Sequence, residues 1–258
     1  MGISVLYLSV CVTSSTVPPS ELRVSKTEFS PIVGGYYARS GEFPWMAVVH
    51  QLLPSGGYAS CGGSVISTRW VVTAGHCILS SPKRFLVVLG EIDKSKIKGE
   101  QYLGQGIAMI TTKVVRHPRY IQTGQGIFND IALLYMPKNI KFGDNIKPIE
   151  LPRRWNAGTT LVGKTGIITG WGNIAADSAI QDLKWGAVPI ISNRECSGYW
   201  RQVGKKTICT AARAPAISCG GDSGGPLALG TDSGPMLIGI VSFSGDSCSV
   251  LLNNFRFT

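Results

Sequence analysis

The chain has 258 residues, of which 44% are apolar and 16% charged, with 32 glycines and a formal net charge of +10. This length allows one large all-β domain or two small barrels, and the abundant glycine suits short strands joined by tight turns. No stretch approaches the roughly 18 consecutive apolar residues of a membrane-spanning helix, so we expect no membrane contact. The charge favours anionic partners, but the lysines are spread out without an RNA-binding motif, so we expect it to serve solubility and expect no nucleic-acid partner.

The segment before Ile32 has the composition of a leader that lies outside the folded domain. An apolar run over residues 3–12 is followed by small hydroxyl residues, which predicts a signal peptide over residues 1–16 and a secreted, extracellular protein. The run has no positive charge before it beyond the amino terminus, so a truncated or misassigned start is the alternative. Residues 17–31 are polar and contain proline, which indicates a pro-segment without a core of its own.

From Ile32 onward, apolar runs alternate with turn residues at short spacing, which is typical of an all-β sandwich or barrel. No long segment has the period of an amphipathic helix. The predicted strands fall at residues 46–49, 71–73, 85–89, 107–115, 131–136, 161–171, 187–191 and 237–243.

Residues 220–226 read Gly-Gly-Asp-Ser-Gly-Gly-Pro, which places Ser223 between glycines with Asp222 beside it. The glycines allow two backbone N–H groups to point into one small space. Such a pair can bind the oxyanion that forms when a serine attacks a carbonyl group. A solvated surface turn is the alternative interpretation of these residues taken alone.

A nucleophilic serine needs a base, and the base needs a carboxylate that orients it. His76 follows an apolar strand and a small-residue turn and stands directly before Cys77, which can fix its position. Asp130 stands directly ahead of another apolar run. The two other histidines are expected to have structural or solvated roles, because His50 ends an apolar run and His117 lies in an Arg-His-Pro-Arg loop.

Four motifs follow one another along the chain: Ile32-Val33-Gly34-Gly35, Thr73-Ala74-Gly75-His76-Cys77, Asp130-Ile131-Ala132-Leu133 and Gly221-Asp222-Ser223-Gly224-Gly225-Pro226. Their order resembles that of the chymotrypsin/trypsin family of serine proteases, and the resemblance covers about residues 32–248. It implies two six-stranded antiparallel β-barrels with the active site in the cleft between them. We expect one peptidase domain over residues 32–258, with the first barrel over about 32–145 and the second over about 146–258.

The resemblance also implies the chemical roles. Ser223 attacks the carbonyl group of the substrate, His76 accepts and returns the proton, and Asp130 holds the imidazole. The backbone N–H groups of Gly221 and Ser223 bind the oxyanion.

Activation is implied to depend on Asp222, which in this family pairs with the amino terminus released at Ile32 and so orders the oxyanion loop and the specificity pocket. The sequence departs from most relatives here, because Pro31 rather than Arg or Lys precedes Ile32. A trypsin-like activator would not cut after proline. Activation by another protease, stepwise trimming, and a wrongly joined start are the alternatives.

The specificity pocket is implied to have Ile217 at its base, six residues before Ser223. An apolar base leaves a buried Arg or Lys desolvated and unpaired, so we expect cleavage after apolar residues, as in chymotrypsin or elastase. Ser242, Phe243 and Ser244 match the pocket-wall strand that also pairs with the substrate backbone. Many relatives have glycine where Ser244 stands, which narrows the mouth of the pocket.

One of the seven cysteines, Cys11, lies in the apolar N-terminal segment, and the other six permit fifteen connectivities. The family resemblance implies three disulfides, and three disulfides imply an oxidising compartment. None of the spacings fits a zinc site, so we expect no metal and no cofactor. The implied pairs are Cys61 with Cys77, Cys196 with Cys209, and Cys219 with Cys248.

The sequence after Cys248 is the second departure from the family. Relatives continue through a strand that closes the pocket and then a C-terminal helix, and residues 249–258 resemble neither. We therefore expect a missing strand, an exposed sheet edge and a truncated C-terminus.

These features predict a secreted serine endopeptidase that forms an acyl-enzyme and acts on protein or peptide substrates. We expect protein protease inhibitors as further partners and a monomeric state. The alternative is a catalytically impaired relative that acts as a binding or regulatory protein, which the departures at Pro31 and after Cys248 favour.

Overall fold

The computed structural model describes residues 35–81, 83–123, 126–152, 160–172, 181–198, 203–204, 206–211, 221–244 and 250–254. None of the helices in this part of the chain is long and apolar enough to cross a membrane. The helical elements among these residues are two 3-10 turns, Gly75–Cys77 and Lys94–Lys96, and the α-helix α1, Asn193–Cys196. The strands are β1 Tyr36–Tyr37, β2 Met46–Leu52, β3 Tyr58–Val65, β4 Trp70–Thr73, β5 Phe85–Leu89, β6 Ile97–Lys98, β7 Gln101–Tyr102, β8 Ile107–Thr111, β9 Val114–Arg116, β10 Ile121–Thr123, β11 Gly126–Phe128, β12 Ala132–Tyr135, β13 Thr165–Gly170, β14 Lys184–Ile191, β15 Thr207–Thr210, β16 Pro226–Thr231, β17 Gly234–Ser244 and β18 Val250–Asn254.

The first large sheet has the strand order β8-β5-β2-β3-β4-β12-β9, and its neighbouring strands are antiparallel. β8 and β9 stand at opposite ends of this order, yet only Thr112 and Lys113 separate them along the chain. The two strands therefore act as one bent strand that curls the sheet into a barrel. The bend also explains why the single apolar run over residues 107–115 forms two strands.

The second large sheet has the order β1-β14-β13-β16-β17-β18-β15, and β15 pairs in turn with β14. Six strands thus close into a ring, and β1 adds to β14 as an extra strand. The curled antiparallel sheets confirm the predicted all-β, two-barrel fold.

β18 corrects one expectation drawn from the sequence. Val250–Asn254 pairs with β17 on one side and with β15 on the other, and so closes the ring. The expected missing strand and exposed sheet edge are therefore wrong. The sequence Val-Leu-Leu at the start of this segment has the apolar, partly β-branched character that suits a strand.

Every residue of β2 is buried. Side chains alternate between the two faces of a strand, so both faces of β2 are covered. Val49 belongs to the core inside the first sheet, whereas its neighbour Val48 belongs to a cluster that includes Trp171 and Leu237 from the second half of the chain. This second cluster packs the two sheets against each other. The strand ends that carry the candidate residues therefore meet at a rigid junction.

Candidate active site

His76 lies on the 3-10 turn that follows β4. The turn starts at Gly75, where a side chain would crowd Asp130 Oδ1, so the glycine permits the close approach of the carboxylate. Cys77 forms a disulfide with Cys61 on β3, and their Cα atoms are 6.2 Å apart. The backbone on either side of the imidazole is therefore anchored, while the His76 side chain keeps 20% exposure.

The Asp130 carboxylate is fully buried and accepts hydrogen bonds from both His76 and Ser242. Oδ1 accepts from the His76 backbone N–H at 2.6 Å, and Oδ2 lies 2.7 Å from His76 Nδ1. The Ser242 hydroxyl donates to the same Oδ2 at 2.5 Å. A carboxylate can only accept, so the imidazole hydrogen belongs on Nδ1, which leaves Nε2 as the basic nitrogen. Sequence reasoning assigned Ser242 to substrate binding alone and missed its contact with Asp130.

The backbone before Asp130 turns sharply. Asn129 has a φ of 51°, in the left-handed region that asparagine tolerates better than most residues. Its side-chain Nδ2 donates to the Arg119 carbonyl at 2.6 Å, and its own carbonyl accepts from the Ile131 N–H at 2.9 Å. This turn directs the Asp130 side chain inward at the entry to β12.

Ser223 lies on a tight turn over residues 221–225, held by backbone hydrogen bonds to both sheets. Its carbonyl accepts from the Gly62 N–H on β3 at 2.7 Å. On the other side, the Gly224 N–H donates to the Val241 carbonyl on β17 at 2.8 Å. Gly221 and Gly224 have φ values of 100° and 81°, which L-residues with side chains rarely adopt. Ser223 itself is half-buried.

The Ser223 turn packs against the strand end that leads to His76. A side chain on Gly224 would overlap Thr73 Oγ1 and approach the Ala74 nitrogen to 3.1 Å. Thr73 is fully buried and donates from Oγ1 to the Gly62 carbonyl at 2.8 Å. The structure therefore brings the turns that carry Ser223 and His76 to one junction. Thr73 lies within the His76 motif, but its role in this junction was not foreseen.

The Asp222 carboxylate is buried inside the protein, with 2% exposure. Its Oδ1 accepts a 2.7 Å hydrogen bond from the Gly172 N–H. Side chains on Gly170 or Gly172 would overlap the carboxylate, so both glycines are required for its position. Ile32, the predicted partner of Asp222, lies outside the described residues, as do Ile217, Cys219 and Cys248.

The two remaining histidines lie apart from the hydrogen-bonded group around Asp130. His50 on β2 is buried and stacks on Tyr58 with ring centres 4.0 Å apart. Burial, helped by the charge of Lys94, lowers the pKa of His50 to about 4. Burial and the charges of Lys206 and Arg119 lower the pKa of His117, which accepts a hydrogen bond from the Arg119 backbone N–H.

Cys61, His76 and Cys77 lie close enough together to resemble a metal-binding group. The two sulfur atoms are joined in a disulfide, so they cannot act as thiolate ligands. The second disulfide joins Cys196 on α1 to Cys209 on β15. Both observed pairs are those implied by the family resemblance.

Phe243 and Ser244 end β17, directly after Ser242. Phe243 is partly buried and pairs with Leu251 of β18, and Ser244 pairs with Val250. The strand that carries the predicted substrate-binding residues is therefore supported on its outer side by β18.

Comparison with known proteins agrees with this geometry. The trypsin family model matches residues 32–253. The chain is 34% identical over 241 residues to chymotrypsin-like elastase family member 3B of Homo sapiens, covering 92% of this chain and 85% of the relative. It is 32% identical over 229 residues to the CLIP domain-containing serine protease B4 of Anopheles gambiae, covering 84% of this chain and 64% of that protein.

A solved structure described as HL collagenase superposes with a TM-score of 0.72 at 27% identity, covering 85% of this chain and 92% of that one. The fold of the two proteins is therefore shared over most of their length. The family model matches most of the sequence, and the relatives that it resembles are serine proteases. The chain therefore belongs to the trypsin family and is a serine endopeptidase.

Proposed function

We propose that this serine endopeptidase works through Ser223, His76 and Asp130, and that it cleaves after apolar residues. The observation that carries the proposal is the buried Asp130 carboxylate, 2.7 Å from His76 Nδ1, together with the packing of the Ser223 turn against the strand end that leads to His76. The contact fixes one tautomer of the imidazole and leaves Nε2 to act as the base.

The chemistry proceeds in two steps. His76 Nε2 accepts the Ser223 hydroxyl proton as Oγ bonds to the carbonyl carbon of the substrate, and the imidazolium returns that proton to the leaving amine as the C–N bond breaks. Water then attacks the acyl-enzyme with His76 again as the base, which releases the carboxylic acid and restores the serine. Asp130 stabilises the imidazolium in both steps without accepting its proton.

The N–H groups of Gly221 and Ser223 are the proposed donors to the oxyanion. The left-handed φ of Gly221 supports this role, because it turns the backbone so that neighbouring N–H groups converge. Removing one such donor typically costs about 10²–10³ in rate.

Asp222 and Ile32 are the proposed activation pair. A carboxylate with 2% exposure requires compensation of its charge, and the amino terminus released at Ile32 is the proposed source. Pairing would hold Asp222 against Gly172 and keep the Ser223 turn in its active form.

The pocket is proposed to have Ile217 at its base and Ser242, Phe243 and Ser244 along its wall, where the backbone of β17 also pairs with the substrate. An apolar base favours apolar side chains and leaves a charged one without a partner. Secretion, a monomeric state and regulation by protein inhibitors are proposed with this function, and the disulfides support an oxidising compartment.

Labelling with a serine-directed fluorophosphonate tests the mechanism. Protein that begins at Ile32 should be labelled at Ser223 and should hydrolyse an apolar peptide ester, and Ser223→Ala should abolish both. Alanine at His76 or Asp130 should remove most turnover, and the losses should not add because the three residues act as a unit. A folded protein with neither labelling nor turnover would instead support the binding or regulatory alternative.

A further inference from the structure

One side of the first barrel carries a group of basic side chains with no acidic residue in the segments that form it. Residues 66–70, 111–115 and 134–141 contain no Asp and no Glu. Three of the basic side chains are exposed and the arginine is half-buried. The group, which we call the basic face, consists of Arg69, Lys113, Lys138 and Lys141.

Backbone hydrogen bonds bring the three segments of the basic face together. The Tyr135 N–H donates to the Lys113 carbonyl at 2.9 Å, and the Met136 N–H donates to the Arg69 carbonyl at 2.8 Å. The Ile140 N–H donates at 2.7 Å to the carbonyl of the residue before Arg69. The basic residues therefore lie on one continuous surface, although they are distant from one another in the sequence.

The ring of Tyr135 lies at the centre of this surface. The Arg69 Cζ atom is 4.3 Å from the ring centre, and the Lys113 Nζ atom is 5.7 Å from it. The ring attracts both cations but does not cancel their charges, so the two repel each other. The ion pairs of the described residues lie elsewhere, and neither cation has a carboxylate within 4 Å in this part of the chain. An anion bound to both cations would relieve the repulsion.

The Arg69 guanidinium is already held in one orientation. Its Nε donates to the Met136 carbonyl at 2.8 Å, and its Nη2 donates to the Pro137 carbonyl at 3.5 Å. A guanidinium has five N–H donors, so further donors remain for a ligand. A planar fork of this kind suits tetrahedral oxyanions such as phosphate or sulfate, and a fork that is already fixed loses little freedom when it binds one.

A second group of basic residues, over residues 94–98, differs from the basic face because acidic residues lie among its neighbours. Lys96 Nζ is 3.4 Å from Asp93 Oδ2. Arg84, on the adjoining part of the barrel, forms two hydrogen bonds to the Glu100 carboxylate. The charges of this second group are thus partly neutralised within the protein, whereas those of the basic face are not.

We infer that the basic face binds a linear sulfated polysaccharide, whose successive sulfate groups contact Arg69 and Lys113 and then the exposed lysines of residues 138–141. The Tyr135 ring is covered by the two cations and by the edge contact with Trp70, so it offers no platform on which a nucleic-acid base could stack. Sulfated polysaccharides are the linear polyanions of the oxidising space outside cells. The inference rests on the proposed secretion, and it does not depend on the proposed catalytic residues.

The basic face lies away from the proposed active site. Tyr135 stands opposite Trp70, and Ala132 stands opposite Thr73 at the other end of the same two strands. Three residues of strand separate the two pairs by roughly 10 Å. Thr73 leads to His76, so the basic face belongs to the far end of these strands. A bound polysaccharide would therefore hold the protein and leave its active-site cleft open.

Heparin, a sulfated polysaccharide, is the probe, and titration calorimetry at several salt concentrations measures its affinity. Neutralising three lysines of the basic face should weaken binding by about tenfold or more at physiological salt. It should also reduce the slope of log affinity against log salt by about 2–3, because fewer counter-ions are released. The test variant is Lys113→Gln/Lys138→Gln/Lys141→Gln.

The matched control removes the same charge from three exposed lysines outside the basic face. Charges that lie farther from the ligand than the screening length contribute little, so its affinity should stay within roughly threefold of wild type. This control variant is Lys98→Gln/Lys164→Gln/Lys206→Gln. Heparin from which the sulfate groups have been removed should bind neither the wild type nor the control.

Three results would overturn the inference. Absence of heparin binding by the wild type at physiological salt would show that no such site exists. Equal losses in the two triple variants would show that heparin responds only to the net charge. Tighter binding of polyglutamate or of phosphatidylserine vesicles than of heparin would assign the basic face to an acidic protein or to a membrane.

A catalytic measurement checks where the polysaccharide binds. Saturating heparin should leave kcat/KM for a small peptide ester nearly unchanged in the protein that begins at Ile32, and strong inhibition would contradict a site at the far end of the strands. If this protein hydrolyses no ester even without heparin, the proposed function has failed, while the calorimetry still decides whether the basic face binds the polysaccharide.

Discussion

The hydroxyl of Ser242 donates a 2.5 Å hydrogen bond to Asp130 Oδ2, the same oxygen that faces His76 Nδ1. Because Ser242 lies on β17 and Asp130 precedes β12, this bond crosses from one barrel to the other. It fixes the carboxylate relative to the strand that is proposed to bind the substrate.

Ser242→Ala should therefore impair both stability and turnover. A hydrogen bond to a charged group contributes about 1.5–3 kcal/mol, so the free energy of unfolding should fall by this order and kcat/KM by roughly tenfold or more. Denaturant unfolding and ester hydrolysis by the processed protein measure the two effects. The exposed Ser40→Ala serves as the control, and activity within twofold of wild type in Ser242→Ala would show that the bond does not position Asp130.

Thr73→Val should loosen the turn that carries Ser223. Valine matches the shape of threonine but cannot donate to the Gly62 carbonyl, whose residue in turn holds the Ser223 carbonyl through its N–H. We expect a loss of about 1–3 kcal/mol in the free energy of unfolding, with slower acylation of the serine. Stopped-flow labelling by a fluorophosphonate measures the acylation rate. Thr165→Val, at an exposed position on β13, is the matched control.

Gly170→Ala should lower the activity while the protein still folds. Its methyl group would overlap the Asp222 carboxylate, so Asp222 must move and the Ser223 turn must move with it. A displacement of about 1 Å at a reacting group can cost about 10²-fold in rate, which is the loss of kcat/KM that we expect. Gly143→Ala adds a methyl group where no atom lies within 4 Å, and it should leave the activity intact. Equal activities in the two variants would contradict the proposed role of Asp222.

His50 predicts a pH dependence of stability. Its pKa is lowered from 6.5 to about 4 in the folded protein, chiefly by burial. The contribution of neutral His50 to the free energy of unfolding is therefore complete above pH 6.5. It is lost as the pH falls toward 4, because the unfolded chain binds the proton at a higher pH than the folded protein does. Over this window the wild type should lose about 2–3 kcal/mol more free energy of unfolding than His50→Phe, which retains the stacking on Tyr58. Parallel losses in urea titrations at pH 7 and pH 4.5 would show that His50 does not titrate as described.

Substrate preference tests the proposed pocket. Burial of Leu, Met, Phe or Tyr before the cleaved bond gains about 1.5–3 kcal/mol, whereas Arg or Lys would lose hydration without finding a carboxylate at Ile217. We expect kcat/KM to be at least about tenfold lower for basic residues in a peptide series that differs only there. Preferred cleavage after Arg or Lys would reject the assignment of Ile217 to the pocket base.

The sequence predicted the strands whose apolar runs are continuous, such as β5, whose observed bounds are those of the run over residues 85–89. It did not predict β3, because Cys61, Gly62 and Gly63 interrupt the apolar pattern. Glycine usually weakens a strand, but a side chain on Gly62 would approach the Gly225 backbone to 3.0 Å. Gly62 is thus required because the Ser223 turn packs closely against β3, and this requirement outweighs the low strand propensity of glycine.

Sequence reasoning found the candidate residues that lie in local motifs. It missed the residues whose role depends only on contacts between distant segments. The His76, Asp130 and Ser223 motifs could be found from local sequence, whereas the bonds from Thr73 to Gly62 and from Ser242 to Asp130 join distant segments. The burial of Lys184 gave no signal, since a lysine in a strand pattern is ordinarily solvated and only the fold places it inside.

The pairing of β1 with β14 also limits how the proposed activation can occur. Tyr36 comes only four residues after Ile32, and it is fixed opposite Trp185. Four extended residues span at most roughly 14 Å, so a newly released amino terminus can explore only a small volume around that anchor. Within so small a volume the terminus behaves as a tethered ligand whose effective concentration reaches about the millimolar range. Cleavage would then be followed by first-order docking at a rate independent of enzyme concentration, and a soluble Ile-Val dipeptide would need a comparable concentration to reproduce it.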